Sequence, residues 1–154
     1  MSTKATLALA LVRSHVQLLP AQHRVLSLEA CAKHAHADAY LNSLPFAILS
    51  HTGVPAATVD PAMVYANDAA LRLFKYSESE FIGMPSRLTA RPEDRDARAG
   101  AMRGVGSSGF SVGYSGKRVA KDGTEFMIEQ AVLWNVVGDS GVVGQAAALV
   151  GVKE

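Results

Sequence analysis

The sequence predicts an α+β fold in which one curved, five-stranded antiparallel sheet packs against short helices, with further helices before it. Two short apolar strands come first, several short capped helices follow, and three longer strands joined by tight turns end the chain. The chain has 154 residues, of which 49% are hydrophobic. A chain of this size buries about two-thirds of its unfolded surface when it folds as one domain.

Two amphipathic helices are predicted at the start of the chain. In residues 4–19 apolar positions recur every three or four residues, and Pro20 ends the pattern. The stripe consists of Leu7, Leu11, Val12, His15 and Leu18. A second helical pattern begins at Ser27, a typical N-cap residue, and runs to Leu41. Neither helix is apolar enough to fold alone, so both are expected to pack on the rest of the protein.

A change in composition divides the chain into two parts. The segment PFAILSH predicts a strand at 45–51, and a second strand is predicted at 63–66. The glycine- and proline-rich stretch 53–61 between them is typical of a loop. We therefore assign residues 1–42 to an N-terminal helical extension and residues 43–154 to the main domain.

Short helices with recognisable caps follow the second strand. Asn67 or Asp68 is expected to cap the first of them. Its buried stripe is predicted to be Ala70, Leu71 and Phe74. Ser77 and Glu80 have the spacing of a capping box, which predicts a turn of helix there. Pro92 suits the first position of a longer, polar helix.

The last third of the chain predicts three antiparallel strands. They cover 110–120, 124–137 and 142–152. A Lys-Asp-Gly turn joins the first two, and the segment 138–141 joins the last two. The result is a meander that completes a five-stranded sheet.

The order of these elements, and two of the motifs, resemble PAS sensory domains. Asn67 in YANDAALRLF matches the asparagine of the first short PAS helix. The turn KYSESEFIGM is similar to a PAS segment in which Tyr76, Glu80 and Gly83 are in register. Within PAS domains, the segments PFAILSH, MPSRLTARPEDR, YSGKRVAKDGTEFMIEQAVLWN and GQAA resemble bacterial members of the MEKHLA branch. The resemblance implies a PAS-like fold and a sensory or regulatory role.

The segment GMPSRLTA also resembles the flavin motif of light-oxygen-voltage domains, a neighbouring branch. Gly83 and Arg87 match that motif. Ser86 stands where the resemblance places the cysteine that forms the flavin adduct, and a serine without an adjacent base is a poor nucleophile. Partners of the flavin ring are replaced at three further positions, by Ala90, Arg118 and Ile128. Flavin is therefore not expected, and a flavin-binding photoreceptor-like domain without the cysteine is kept as an alternative.

Haem, metal binding and catalysis are not expected either. The resemblance to haem-binding PAS domains would require a histidine on the long helix after the turn, and 92–105 has none. His34 and His36 are two residues apart in a helical pattern, so they point to different faces. The lone Cys31 excludes an intrachain disulfide and a thiolate zinc site. No nucleophile elbow or phosphate loop occurs, so a small enzyme is the least favoured alternative.

The strand at 124–137 suggests a ligand pocket. If Phe126 faces the core, strict alternation places Ile128, Gln130, Val132 and Trp134 there too. A few polar groups among apolar ones are typical of a small-molecule site. The candidate pocket residues are Asn67, Leu71, Phe74, Ser86, Arg87, Tyr114, Arg118, Phe126, Ile128, Gln130, Trp134 and Gln145. A core filled by these side chains, as in a ligand-free protein-interaction domain, is the other interpretation.

Partners and location are expected as follows. A net charge of +1 without a basic cluster predicts no nucleic-acid or membrane partner. Without a signal-peptide pattern, a cytoplasmic location is expected. The apolar helices are expected to cover the outer sheet face, where Met127, Ala131 and Leu133 would lie, and to form a homodimer there. The sequence thus predicts a non-enzymatic sensory or regulatory module with an unknown effector.

Overall fold

A computed structural model describes residues 3–53 and 60–154. Two apolar cores lie on opposite faces of one sheet. The first holds the N-terminal helices, and the second holds the short helices from the middle of the chain. The middle of the predicted loop, residues 54–59, lies outside the described residues.

Most of the predicted helices are present, and one is divided. The α-helices are α1 (Thr3–Leu18), α2 (Leu28–Cys31), α3 (Ala37–Asn42), α4 (Asp68–Phe74), α5 (Glu78–Phe81) and α6 (Arg95–Ser108). Short 3-10 helices cover Ala21–His23, Ser86–Thr89 and Pro92–Asp94. The single helix predicted from Ser27 is in fact α2 and α3, because the His36 ring starts a new cap by accepting the Ala39 N–H at 3.1 Å. Asn67 caps α4, and Ser77 and Glu80 form the predicted capping box of α5.

The described strands form one antiparallel sheet, which confirms the predicted fold class. They are β1 (Ala47–Thr52), β2 (Met63–Ala66), β3 (Phe110–Val119), β4 (Glu125–Gly138), β5 (Gly141–Leu149) and β6 (Gly151–Lys153). Their order is β2-β1-β5-β4-β3, and β6 also pairs with β4. The last predicted strand is therefore interrupted after Leu149, and β6 continues along the same neighbour.

A β-bulge in β4 changes which residues face inward. Between Gly116 and Tyr114 of β3, which pair with Ile128 and Ala131, β4 contains one residue more than its partner. Gln130 lies in this bulge and has a positive φ of 56°. The inner-face residues before the bulge are Phe126 and Ile128, and those after it are Ala131 and Leu133.

Five orientations predicted from strict alternation are therefore wrong. Gln130 is exposed instead of facing the core. Val132 and Trp134 lie on the outer face, in the core that the N-terminal helices complete. Ala131 and Leu133, expected on the outer face, lie on the inner one. One extra residue exchanges the two faces of every later position in a strand.

The N-terminal helices cover the outer face of the sheet. The Trp134 indole is fully buried there, and its Nε1 donates to the carbonyl oxygen of Leu11 at 3.1 Å. The Ser14 hydroxyl accepts the Val137 N–H at 2.8 Å, and the His15 ring meets the indole edge to face at 4.5 Å. The helices thus pack where the sequence predicted, but against different residues. No helix in the described ranges is long and apolar enough to cross a membrane.

Candidate functional site

A cavity lies on the inner face of the sheet and opens into a wider cleft. Its apolar walls include Phe74, Ile128, Leu133 and Ala147, and its polar walls include His51, Arg98, Arg118 and Gln145. The cavity has a volume of about 40 Å³, room for on the order of three water molecules. The cleft beside it measures about 260 Å³. Four residues line both spaces, which makes the two continuous: His51, Arg98, Met102 and Gln145.

Helix α6 contributes Arg98 and Met102 to the lining of both the cavity and the cleft. The side-chain amide of Gln145 on β5 donates to the Met102 carbonyl oxygen at 2.8 Å and to Asn135 Oδ1 at 3.2 Å. Arg98 lies one turn before Met102, on the same face of α6. The sheet therefore fixes the turn of helix that carries Arg98 into the cavity wall.

Three buried polar atoms around this space have no hydrogen-bond partner among the described residues. They are His51 Nε2, Ser86 Oγ and Gln145 Oε1. The residues that carry them are at most 8% exposed. Buried polar atoms are nearly always paired, and leaving one unpaired costs about 1–3 kcal/mol. Three such atoms facing one space indicate groups that a bound molecule or water can satisfy.

The His51 ring presents an acceptor to the cavity. Its Nδ1 lies 3.0 Å from the Thr52 carbonyl oxygen, which only accepts hydrogen bonds, so Nδ1 carries the proton. Burial, with a smaller contribution from the charge of Arg98, lowers the pKa of His51 to about 4 against the opposing effect of the hydrogen bond to Thr52. The ring is therefore neutral at pH 7, and Nε2 has a free lone pair.

Arg118 is held in the cavity wall by its own strand. It is 7% exposed, and it donates to the Lys117 carbonyl oxygen at 2.8 Å and to the Tyr114 hydroxyl at 3.2 Å. A β-carbon at Gly116 would lie only 2.5 Å from the Tyr114 hydroxyl. Glycine at 116 therefore leaves room for the tyrosine to lie across the strand and meet the guanidinium.

Arg98 is the second cation of the cavity. Burial, followed by the charge of Arg118, lowers the pKa of Arg98 to about 10, so the group stays protonated at neutral pH. The residues that line the cavity include no aspartate or glutamate. Two guanidinium groups thus share a mostly apolar space without an acidic side chain.

The mouth of the cleft is charged and exposed. Arg87 forms an ion pair with Asp60 at 2.7 Å, and both side chains are about half exposed or more. Arg95 Nε donates to the carbonyl oxygens of Arg87 and Ala90, both at 3.1 Å. Arg95 therefore fastens α6 to the 3-10 helix Ser86–Thr89 at the entrance.

The structure brings half of the predicted pocket residues to this space. Those lining the cavity or the cleft are Phe74, Ser86, Arg87, Arg118, Ile128 and Gln145. Leu71 and Phe126 belong to the same core without lining the space, and Tyr114 contacts it through Arg118. Gln130 and Trp134 lie elsewhere because of the bulge at position 130.

Asn67 has a structural position. Its Oδ1 accepts the N–H groups of Ile48 and Ala70 at 2.9 and 3.0 Å. Its Nδ2 donates to the carbonyl oxygens of Leu41 and Phe46 at 2.7 and 3.1 Å. Both donors are used and the side chain is fully buried. Asn67 therefore joins α3, β1 and α4.

The lining residues that were not predicted from the sequence include His51, Arg98 and Met102. The four-residue spacing of Arg98 and Met102 placed them on one helical face, but that face could not be assigned to the core from a polar helix. Within residues 3–53 and 60–154, no three His, Cys, Asp or Glu side chains are grouped as metal ligands would be.

Comparison with known proteins agrees with this fold. A family model described as the MEKHLA domain matches residues 5–153. A search of curated proteins gives no significant match. The PAS domain of a protein from Colwellia psychrerythraea superposes with a TM-score of 0.58 at 19% identity, covering 70% of this chain and 87% of that one.

Light-oxygen-voltage domains superpose equally well. One, studied with a flavin analogue, gives a TM-score of 0.56 at 23% identity over 70% of this chain and 78% of its own. An RNA-binding light-oxygen-voltage receptor gives 0.56 at 22% identity over 85% of this chain and 34% of its own. At these low sequence identities, the superpositions show a common fold and nothing more.

Proposed function

The chain belongs to the MEKHLA domain family, whose fold is that of PAS and light-oxygen-voltage sensory domains, and we propose that it is a non-enzymatic sensory module that binds a small molecule. The binding site is the connected cavity and cleft on the inner face of the sheet. The observation that carries the proposal is the group of three buried, unpartnered polar atoms on His51, Ser86 and Gln145.

The contacts of Gln145 suggest how binding is transmitted. Its amide nitrogen connects α6 to β4 through Met102 and Asn135, while its free Oε1 belongs to the site. A ligand that engages Oε1 would pull on the same amide. Strand β4 carries Trp134 on its other face, against α1. Ligand binding would thereby change the packing of the N-terminal helices, which we propose as the output surface.

A cavity-filling substitution tests the proposal. Ala147 lines the cavity, and Ala147→Leu would place three more carbon atoms into a space of about 40 Å³. Ala69→Leu, on α4 at a separate surface groove, is the matched control. Ligand-observed NMR with a library of neutral and charged small molecules should reveal mutually competing binders of the wild type and of Ala69→Leu. Ala147→Leu should bind none of them. Binders that Ala147→Leu retains would contradict the proposal.

The homodimer predicted from the sequence remains a proposal. The apolar stripe of α1 and the outer sheet face bury each other within one chain, so that face alone does not require a second copy. The effector protein and the cytoplasmic location also remain predictions. Sedimentation of the intact chain over a range of concentrations decides the oligomeric state.

The alternative proposal is that the site binds flavin instead of another small molecule. It is favoured by the structural neighbours and by Arg87 at the cleft mouth. Arg118 stands against it, because it replaces a neutral group that could pair with the ring, and Arg98 adds a second cation to the cavity. The proposal expects protein that is colourless as isolated and that does not bind flavin mononucleotide at micromolar concentrations. A structured absorbance band of protein-bound flavin would favour the alternative.

A further inference from the structure

Two cations that line the cavity, the buried Arg118 and the partly buried Arg98, have no acidic partner. Arg98 forms no hydrogen bond or ion pair with any residue in the described ranges, and Arg118 bonds only to Lys117 and Tyr114. The segment 54–59, outside those ranges, reads VPAATV and contains no acid. Buried guanidinium groups are almost always paired with an anion, because desolvating an unpaired charge is costly. The missing counter-charge is therefore expected to come from outside the chain.

The surroundings of the two cations define the kind of anion. A guanidinium is a planar fork that fits a carboxylate with two parallel hydrogen bonds. The remaining walls are hydrocarbon, with Phe74, Ile128 and Leu133 on one side. Such walls fit the body of an organic acid and offer nothing to the other oxygens of a fully hydrated inorganic anion.

A second polar group of the ligand is indicated at the other end. His51 Nε2 is an acceptor in the neutral ring, and Gln145 Oε1 is an acceptor by its nature. Both would repel a carboxylate and both require a donor. A ligand that satisfies the whole site must therefore combine a carboxylate, a short apolar body and an O–H group.

We propose that the cavity binds a small hydroxycarboxylic acid, with its carboxylate between Arg98 and Arg118 and its hydroxyl donating toward His51 and Gln145. This assignment rests on the proposed function and names the class of molecule that the module senses. Arg98 lines both the cavity and the cleft, so it can contact an acid that passes from the cleft into the cavity.

The experiment is a titration of the protein with matched probes. Isothermal calorimetry and the NMR shifts of the Ile128 and Leu133 methyl groups are its two readouts. The probes are lactate and 3-hydroxybutyrate, their neutral amides, butyrate, and inorganic phosphate. The hydroxy acids should bind saturably, and the amides and phosphate at least tenfold more weakly. Butyrate, which lacks the hydroxyl, should be intermediate. Equal binding of an acid and its amide, or tighter binding of phosphate, would overturn the inference.

Variants connect the binding to the two arginines. Arg98→Gln and Arg118→Gln should each weaken the hydroxy acids at least tenfold, while Arg13→Gln, on the exposed face of α1, should leave binding unchanged. Arg98→Met should also raise, or leave unchanged, the melting temperature of the ligand-free protein, because it removes a partly buried charge that has no partner. A large fall in that temperature would show that Arg98 has a structural partner and would overturn the inference.

The inference and the proposed function fail in different ways. In one outcome, neutral library molecules bind the wild type but not Ala147→Leu, and no hydroxy acid binds. That result would support the ligand site and would reject a hydroxycarboxylic acid as its ligand. Absence of every binder would reject both.

Discussion

The indole Nε1 of Trp134 donates a hydrogen bond to the main-chain carbonyl oxygen of Leu11 at 3.1 Å, across 123 residues of sequence. This bond lies in the middle of the outer core, where α1 covers β4. It makes the N-terminal helix a structural layer of the sheet instead of an independent appendage. The family match, which begins at residue 5, spans the same unit.

Replacing Trp134 with alanine should be among the most destabilising single changes. The side chain is fully buried, so its deletion should lower the free energy of unfolding by about 3–5 kcal/mol. Urea denaturation measures this, and the emission of the wild type should be blue-shifted because the indole is buried. A loss below about 1 kcal/mol would show that α1 does not pack on β4 as described.

Deleting residues 1–41 should expose the outer core. Trp134, Val132 and Ala148 would then face solvent, as a contiguous apolar patch. We expect aggregation, or strong binding of a hydrophobic dye together with red-shifted tryptophan emission. A truncated protein that stays monodisperse in analytical ultracentrifugation with unchanged emission would contradict the layer arrangement.

The bulge at Gln130 can be tested through its backbone conformation. A left-handed φ of 56° costs a non-glycine residue about 1–2 kcal/mol, and more if it is β-branched. Gln130→Gly should therefore raise the free energy of unfolding by about 1 kcal/mol, and Gln130→Val should lower it by a similar amount. Glu129→Val, at the neighbouring exposed position, is the control and should have little effect. Identical effects at both positions would argue for a regular strand.

Asn67 should behave as a structural residue. Asn67→Ala removes four hydrogen bonds to main-chain groups in a buried site, so a loss of at least about 3 kcal/mol is expected. Asn42→Ala removes one exposed bond to the Asp68 N–H and should cost about 1 kcal/mol. Thermal or urea unfolding compares the two variants. Equal costs would contradict the central position of Asn67.

Stability should fall in mild acid because of His15 and His51. Burial lowers the pKa of each to about 4, whereas an imidazole in the unfolded chain titrates near 6.5. The unfolded state therefore takes up protons first as the pH falls below 6.5. The free energy of unfolding should drop by about 2 kcal/mol per histidine between pH 6.5 and 5.

Two measurements check this pH dependence. Urea unfolding at pH 7.5, 6 and 5 gives the stability, and the imidazole resonances of His15 and His51 in the folded protein should not shift over that range. Constant stability, or a titration of either ring near pH 6.5, would contradict the burial of these rings.

Local sequence patterns predicted most of the fold. The cap residues Asn67 and Ser77 and the alternation of Phe126 and Ile128 each depend on neighbours within four residues, which a sequence displays directly. The bulge at Gln130 does not depend on such local neighbours, because the paired strand imposes the positive φ of this glutamine. Gly113 of β3, also at positive φ, lies directly beside it.

The site was harder to predict, for a related reason. Arg118 and Gln145 were recognised because their strands alternate. His51 and Arg98 became site residues only through the packing of α6 on the sheet, which Gln145 fixes through the Met102 carbonyl oxygen. A polar helix gives no local indication that one of its arginines lines a cavity.

Native mass spectrometry of the protein purified from its own host tests the central claim, that the inner cavity is a ligand site. The native mass should exceed the polypeptide mass by that of one small organic acid. The excess should disappear on denaturation and should be absent from Ala147→Leu while present in Ala69→Leu. A native mass equal to the polypeptide mass in the wild type, or an equal excess in Ala147→Leu, would contradict the account.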